Sequence, residues 1–270
     1  MDIPSVSNRK LTLIRKLNQK KYRQKEQLFL LEGARAVEQV LQNRAVKVEA
    51  LYFDEEQQYW LQEKWKKYLR EYNGFSIPAD QYVDVTDTDN PQGVVALCRM
   101  PEEVSMETLG AKKGIIVALD GVQDPGNLGT IIRTASWFGA VGLLSGKGTV
   151  DLFHPKVVRS TAGSTGVLPH RNGDLGDMLP QLEKAGWPVY LLDAGRNAKS
   201  LSGIHKLEKA IIVVGNEAHG VDPKLAGKER LKVRIDAPET QNGVESLNAA
   251  VATSIALYDF SGKLVRHNKN

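Results

Sequence analysis

The sequence predicts an α/β protein, with a mostly parallel sheet in the second half of the chain and a smaller α/β block before it. In the second half, short apolar runs alternate with stretches of helical period. That alternation is typical of a parallel sheet with helices on both faces. Residues 100–113 are polar and weakly periodic, as in a linker. We therefore predict two domains, at residues 1–107 and 112–270.

Each element of the first block follows from its periodicity and its flanking residues. The predicted strands are 28–31, 46–53 and 94–99, and the predicted helices are 33–42 and 55–72. The second of these helices is charged, amphipathic and rich in aromatic residues. Five aromatic side chains of this block either stack on bases of a nucleic acid or, as we favour, pack in its core. They are Tyr22, Tyr52, Trp60, Trp65 and Tyr72.

The second block repeats one unit, a short apolar strand followed by a turn and a helix. Strands are predicted at 115–119, 141–144, 189–192, 210–214 and 231–235, and helices at 128–138, 174–185 and 247–260. Ligands of open α/β sheets bind beyond the carboxyl ends of the strands. Three turns, at 120–130, 215–221 and 236–248, are rich in Gly, Asn and acidic residues. We expect the chemistry there.

The composition narrows the class of protein. The single cysteine, Cys98, cannot form an internal disulfide, so a reducing compartment is expected. The apolar runs fall well short of the roughly 20 residues that cross a bilayer, and the N-terminus lacks an apolar signal core. No Cys or His cluster has the spacing of metal ligands. We expect a cytoplasmic protein without a metal or a membrane partner.

Basic residues are concentrated at the N-terminus, although the net charge of the chain is only +4. Such a segment either attracts the phosphates of a nucleic acid or is a solvated helix that buries Leu13, Ile14 and Leu17. The composition leaves both interpretations open. Residues 1–25 hold one acid, Asp2, and eight basic residues: Arg9, Lys10, Arg15, Lys16, Lys20, Lys21, Arg23 and Lys25.

The first of the three turns contains Asn127, a plausible helix N-cap, and Arg133 six residues later. A guanidinium here can bind a phosphate as a planar fork or form a surface salt bridge. The chain contains neither G-x-G-x-x-G nor G-x-x-x-x-G-K-[ST], which argues against a dehydrogenase or a nucleotide triphosphatase.

The other two turns are similarly weak signals when each is taken alone. In the second turn, Gly215 lets the backbone approach a ligand closely. Glu217 binds a ribose hydroxyl, contacts RNA or anchors the loop. In the third turn, Ser246 and Asn248 stand at a predicted helix start, where unpaired N–H groups need partners.

Together and in this order, the three turns resemble the signature motifs of one family. Asn127-Leu-Gly-Thr-Ile-Ile-Arg133, Val214-Gly-Asn-Glu217 and Glu245-Ser-Leu-Asn248 look like those of the SpoU/TrmH ribose methyltransferases of the SPOUT superfamily. The resemblance covers about residues 112–265 and includes Pro155-Lys-Val-Val-Arg-Ser-Thr-Ala-Gly163. Phe29-Leu-Leu-Glu-Gly33 resembles the start of the family's substrate-binding domain, which is similar to ribosomal proteins that bind bent RNA.

The resemblance implies a fold, a reaction and roles for individual residues. Members fold as an α/β sheet with a C-terminal trefoil knot, act as homodimers, and methylate a ribose 2′-hydroxyl of RNA with S-adenosyl-L-methionine. Ribosomal RNA of the 23S type is the expected substrate. The implied catalytic residues are Asn127, Arg133, Ser246 and Asn248, and the implied cofactor-binding residues are Gly215, Asn216, Glu217, Ile235 and Leu247.

The chain departs from the family in details, and other functions stay open. Ile235-Asp-Ala-Pro238 stands where many relatives have Ile-Pro-Met, and Ala218-His219 replaces a Gly-containing pair. The alternatives within RNA biology are a transfer RNA 2′-O-methyltransferase, a base methyltransferase, and a catalytically silent RNA-binding or ribosome-assembly factor. A small-molecule enzyme of the Rossmann type is a further alternative.

Overall fold

The computed structural model describes residues 2–86, 91–195, 197–205, 207–227, 229–237 and 245–264. The chain forms two compact units. Unit 1 comprises Met1–Glu102 and Asp151–Val167, and unit 2 comprises Glu103–Val150 and Leu168–Asn270. The segment 151–167 thus belongs to unit 1, although it lies within the sequence of the predicted second domain. The predicted division into a substrate-binding domain at 1–107 and a methyltransferase domain at 112–270 stays a prediction.

The α-helices are numbered in chain order within the described ranges. They are α1 Asn8–Lys16, α2 Lys20–Glu26, α3 Ala34–Asn43, α4 Glu63–Tyr68, α5 Ala79–Tyr82, α6 Met106–Gly110, α7 Pro125–Trp137, α8 Pro155–Ser160, α9 Leu175–Lys184 and α10 Ala249–Lys263.

The strands are numbered in the same way. They are β1 Leu28–Glu32, β2 Val48–Asp54, β3 Gly74–Ile77, β4 Val94–Arg99, β5 Gly114–Leu119, β6 Gly142–Gly146, β7 His170–Gly173, β8 Val189–Leu192, β9 Lys199–Ser200, β10 Lys209–Val214 and β11 Leu231–Arg234.

Unit 1 is built on a four-stranded mixed sheet in the order β1-β4-β2-β3. Strand β4 is antiparallel to β1 and to β2, and β2 is parallel to β3. Successive residues of a strand point to opposite faces. Leu30 of β1 belongs to the same hydrophobic cluster as the buried side chains of α1. On the opposite face, the ring of Phe29 lies 5.0 Å from that of Phe153. The segment 151–167 therefore supplies part of the core of unit 1.

The basic N-terminal segment is folded into α1 and α2. Ile14 and Leu17 are fully buried and Leu13 is partly buried in the core of unit 1, so the helix with a buried stripe is confirmed. Arg23 is also buried and pairs with Asp151. Arg23 therefore lies in the interior of unit 1, and the basic N-terminal segment packs as part of that unit.

The predicted single helix over 55–72 is wrong. Gln58 adopts a left-handed conformation with φ of 46°, a 3₁₀ turn spans Tyr59–Leu61, and α4 follows as a separate short helix. Trp60 and Trp65 are both buried against Phe53, at ring distances of 6.1 and 5.6 Å. Residues five apart on one α-helix point about 140° away from each other. Breaking the helix lets both indoles reach the same ring.

Unit 2 is built on a seven-stranded sheet in the order β7-β6-β5-β10-β8-β11-β9, and each of its pairings is parallel. Leu109 of α6 and Leu182 of α9 pack in one hydrophobic cluster with residues from one face of the sheet, such as Ile211 of β10. Helix α10 contacts α7, β5 and β10. The α/β class is confirmed. Strands β7 and β9 were not predicted, because both are short, polar and at the edges of the sheet.

No helix in the described part of the chain is both long enough and apolar enough to span a membrane.

Candidate active site

The first motif turn leads directly from β5 into α7. Asp124 is the N-cap of α7, its carboxylate accepts the backbone N–H of Asn127 at 2.7 Å, and Pro125 takes the first helical position. The prediction that Asn127 is the N-cap is therefore wrong. Because an N-cap acid followed by proline is a common helix start, the pair Asp124-Pro125 was a readable signal. The shift leaves the Asn127 side chain available for other contacts.

A chain of hydrogen bonds joins the three motif turns. The Nδ2 group of Asn127 donates to Oε1 of Glu217 at 3.0 Å, and Oδ1 of Asn127 accepts from Nδ2 of Asn248 at 2.9 Å. Asn248 is the N-cap of α10, with Oδ1 accepting the backbone N–H groups of Ala250 and Val251. The structure thus brings together Asn127, Glu217 and Asn248 from three separate segments.

The Glu217 carboxylate fixes the direction of this chain. An ionised carboxylate only accepts hydrogen bonds, so the donor end of the Asn127 amide must face Glu217. The acceptor end then faces Asn248, which must donate with its Nδ2 and cap α10 with its Oδ1. Partial burial raises the pKa of Glu217, but hydrogen bonds from Asn127 and from backbone N–H groups outweigh it and lower that pKa below its ordinary value. The carboxylate therefore stays ionised at neutral pH.

The second motif turn is closed tightly on itself. Asn216 and Gly220 exchange two backbone hydrogen bonds of 2.9 Å. A Cβ atom at Gly215 would lie 2.1 Å from the carbonyl carbon of Gly220, so glycine is required here by the chain's own backbone. Gly220 has φ of 70°, as expected for a turn glycine.

The Asn216 side chain and Asp120 attach this turn to the end of β5. Asn216 donates through Nδ2 to the carbonyl of Gly121 at 2.8 Å and accepts from the N–H of Ala218. Asp120 accepts the N–H of Asp222 at 2.6 Å, and its partial burial raises the pKa of its carboxyl group. Both ends of the Asn216 side-chain amide are thus engaged, the Nδ2 group with the first turn and Oδ1 within its own loop. Sequence reasoning missed Asp120 and Asp124.

The remaining predicted catalytic residues are exposed. Arg133 lies in the third turn of α7 and Ser246 two residues before the α10 N-cap. Neither side chain has a hydrogen bond or an ion pair with a residue that the structure describes. The exposed guanidinium, on the helix that carries Asn127, and the exposed hydroxyl, two residues before Asn248, are available to a ligand with phosphate and sugar groups.

The edge of the sheet fits an adenosyl group. Strands β10, β8 and β11 are parallel neighbours, so their carboxyl ends meet at one edge. Ile235 follows β11 and is half-buried, and Leu247 is 47% exposed. An adenine ring needs apolar contacts of this kind beside backbone polar groups. Residues 238–244, which fall in the predicted cofactor loop, lie outside the described residues.

Among the described residues, no group of three or more His, Cys, Asp and Glu side chains is arranged to hold a metal ion.

Comparison with known families identifies the chain. Residues 114–258 match the model of the SpoU rRNA Methylase family, and residues 8–96 match that of the MRM3-like substrate binding domain. The chain belongs to the SpoU rRNA Methylase family. The SpoU methylase match contains all three motif turns, and the second match covers α1 and the sheet of unit 1 up to β4.

Two relatives of this SpoU methylase match most of the length of this chain. The 23S rRNA (guanosine(2553)-2′-O)-methyltransferase RlmP of Bacillus subtilis is 36% identical over 260 residues, which are 96% of this chain and 99% of the relative. The mitochondrial rRNA methyltransferase 3 of Mus musculus is 27% identical, over 88% of this chain and 68% of the relative.

Solved structures have the same fold. The AdoMet-bound rRNA methyltransferase of Sinorhizobium meliloti matches with a TM-score of 0.81 at 29% identity, over 98% of this chain and 99% of that chain. A TrmH-family RNA methyltransferase of Porphyromonas gingivalis matches with a TM-score of 0.78 at 29% identity, over 94% and 98%.

Proposed function

We propose that this SpoU methylase transfers a methyl group from S-adenosyl-L-methionine to a ribose 2′-hydroxyl of ribosomal RNA. The observation that carries the proposal is the hydrogen-bond chain from Glu217 through Asn127 to Asn248, which assembles three family motifs into one cluster. Family membership and the names of the relatives support the substrate. The B. subtilis relative favours 23S-type RNA over transfer RNA.

The cofactor, when bound, supplies an electrophilic methyl group on a positively charged sulfur. The backbone near Gly215 and Ile235, together with Leu247, holds the adenosyl group at the carboxyl edge of the sheet. The side chains of Asn216 and Glu217 act indirectly, because their polar atoms already hold the two loops. In this proposal they keep the pocket in shape, whereas the family resemblance implies that they contact the cofactor directly.

The substrate is oriented by the exposed residues of the cluster. Arg133 binds the phosphate beside the target ribose and stabilises the negative charge that develops on the attacking oxygen as the hydroxyl proton passes to the phosphate or to water. Ser246 and the second N–H of the Asn127 side-chain amide orient the hydroxyl, and Asn248 holds the loop. Fixing both reactants in attack geometry contributes on the order of 7–11 kcal/mol to lowering the barrier.

In the same proposal the protein is a homodimer. One face of α10, continued by the residue two positions before the N-terminus of the helix, carries exposed apolar side chains at helical spacing: Leu247, Val251, Ile255 and Tyr258. On α7, Trp137 is 84% exposed. Tyr258 lies 6.1 Å from the ring of Phe138, next to Trp137 in sequence. A contiguous apolar surface of this kind suits a second copy of the chain.

The proposal also includes a trefoil knot and a location. The C-terminal segment of the chain threads a loop to form the knot, as the family resemblance implies. The protein acts in the cytoplasm, which agrees with its buried, unpaired Cys98 and with the bacterial relative.

Arg133→Ala tests the chemistry directly. We expect methyl transfer to ribosomal RNA to fall at least about a hundredfold, since one preorganised charge-stabilising group is worth about that much. The affinity for S-adenosyl-L-methionine, measured by calorimetry, should stay the same. Arg171→Ala is the control, because Arg171 pairs with Glu103 outside the motif turns. Unchanged turnover of Arg133→Ala would contradict this role, and absence of transfer by the parent protein would favour a silent RNA-binding factor.

A further inference from the structure

Helices α1 and α2 and the turn that joins them, called the α1–α2 hairpin below, carry cations that the described residues of unit 1 do not neutralise. Of the eight basic residues in this segment, Arg15 pairs with Asp84 at 2.8 Å and Arg23 pairs with Asp151. The other six are exposed and form no ion pair with any residue in the described ranges. They are Arg9, Lys10, Lys16, Lys20, Lys21 and Lys25.

The hairpin is held in one conformation from inside. The buried Arg23 guanidinium donates through Nη1 to the carbonyls of Leu17 and Asn18, both at 2.9 Å, and through Nε to Asp151 at 3.0 Å. These contacts fix the turn between the two helices. The exposed cations therefore stand on a rigid support, which reduces the entropy lost when a ligand binds.

One aromatic ring lies close to two of these cations. The Nζ atom of Lys21 is 4.9 Å from the centroid of the half-buried Tyr22 ring, and that of Lys16 is 5.5 Å away. Proteins that bind unpaired nucleotides combine cations for the phosphates with aromatic rings on which bases stack. Of the five aromatic residues predicted either to stack on bases or to pack in the core, Tyr52, Trp60 and Trp65 are buried, whereas Tyr22 is half-buried.

We infer that the α1–α2 hairpin binds an unpaired stretch of the substrate RNA, with Tyr22 under a base and Lys16, Lys20 and Lys21 on the neighbouring phosphates. The choice of RNA as ligand rests on the proposed function. A membrane surface fits less well, because a helix that lies on a bilayer needs an exposed apolar face. The apolar face of α1, with Leu11, Ile14 and Leu17, is buried.

The test compares two triple substitutions of equal charge in the full-length protein. Lys16, Lys20 and Lys21 are changed to Gln in the hairpin variant. In the control, Lys64, Lys66 and Lys67 of α4 are changed to Gln; two of these pair with carboxylates, Lys64 with Glu38 and Lys66 with Glu63. Binding of a labelled 12-nucleotide single-stranded RNA is measured from 50 to 200 mM salt.

We expect the hairpin variant to bind about tenfold to a hundredfold more weakly at low salt, with the salt slope reduced by about 2, since each lost phosphate contact lowers it by about 0.7. The control should stay within about twofold. Changing the same three lysines to Arg should restore binding. Tyr22→Leu should weaken binding by a factor on the order of ten without changing the salt slope.

Three results would overturn the inference: equal losses in both triple variants, no loss in the hairpin variant, or loss of binding to phosphatidylserine vesicles with RNA binding unchanged. The inference and the proposed function fail separately. Hairpin-dependent RNA binding without methyl transfer by the parent protein would contradict only the proposed function. Methyl transfer whose KM for RNA is the same in the hairpin variant would contradict only the inference.

Discussion

At the scale of single residues, the orientation of two amides depends on one carboxylate. Glu217 accepts from Asn127, which accepts from Asn248, which caps α10. Reversing either amide would bring two donors or two acceptors face to face. The sequence identified all three residues, but it could not show that Glu217 contacts Asn127, because 90 positions separate them.

Substitution of Glu217 distinguishes a positioning role from direct cofactor binding. Glu217→Gln keeps an acceptor for Asn127, so we expect most of the turnover to remain. Glu217→Ala removes the acceptor, frees the Asn127 amide to rotate, and should lower kcat by about tenfold or more. The affinity for S-adenosyl-L-methionine, measured by calorimetry, should change little in both. Equal loss of cofactor affinity in the two variants would instead indicate that Glu217 contacts the cofactor.

At the scale of elements, the apolar strands of unit 2 could be predicted because each is a short buried run bounded by turn residues. The four-residue strand β7, His170–Gly173, is mostly polar and lies at a sheet edge, so its pairing follows from the neighbouring β6. The 55–72 region has helical periodicity, but the burial of Trp60 and Trp65 against Phe53 breaks it. Tertiary packing overrode the local pattern in both cases.

The N-terminal helix α1 should contribute to the stability of unit 1. Ile14 is fully buried, and deleting such a side chain costs about 2–5 kcal/mol. We therefore expect Ile14→Ala to lower the free energy of unfolding in urea by this amount. Thr12→Ala, on the exposed face of the same helix, should change it by less than about 0.5 kcal/mol. Equal small effects would show that α1 does not anchor the unit.

At the scale of the whole molecule, neither unit is a continuous piece of sequence. The segment 151–167 places Phe153 beside Phe29 and Asp151 beside Arg23, all within unit 1. Composition and periodicity contain no signal for this exchange, because it depends on which buried surface a loop happens to cover. A fragment that ends at residue 107 would lack these contacts.

The proposed dimer can be tested on the exposed apolar surface. Trp137→Glu and Tyr258→Glu each place a charge that would lose its hydration in the interface. We expect the parent protein to sediment as a dimer and the double variant as a monomer with an unchanged circular dichroism spectrum. Leu61→Glu, at an exposed apolar residue of unit 1, is the control. A variant that sediments like the parent would place the dimer interface elsewhere.

The central claim is that this SpoU methylase methylates a ribose hydroxyl. The most direct measurement is mass spectrometry of nucleosides from unmethylated ribosomal RNA, after incubation with the protein and S-adenosyl-L-methionine carrying a deuterated methyl group. We predict that the label appears on the ribose of one nucleoside and is absent with Arg133→Ala. Label on a base, or no label although calorimetry shows that the cofactor binds, would contradict the claim.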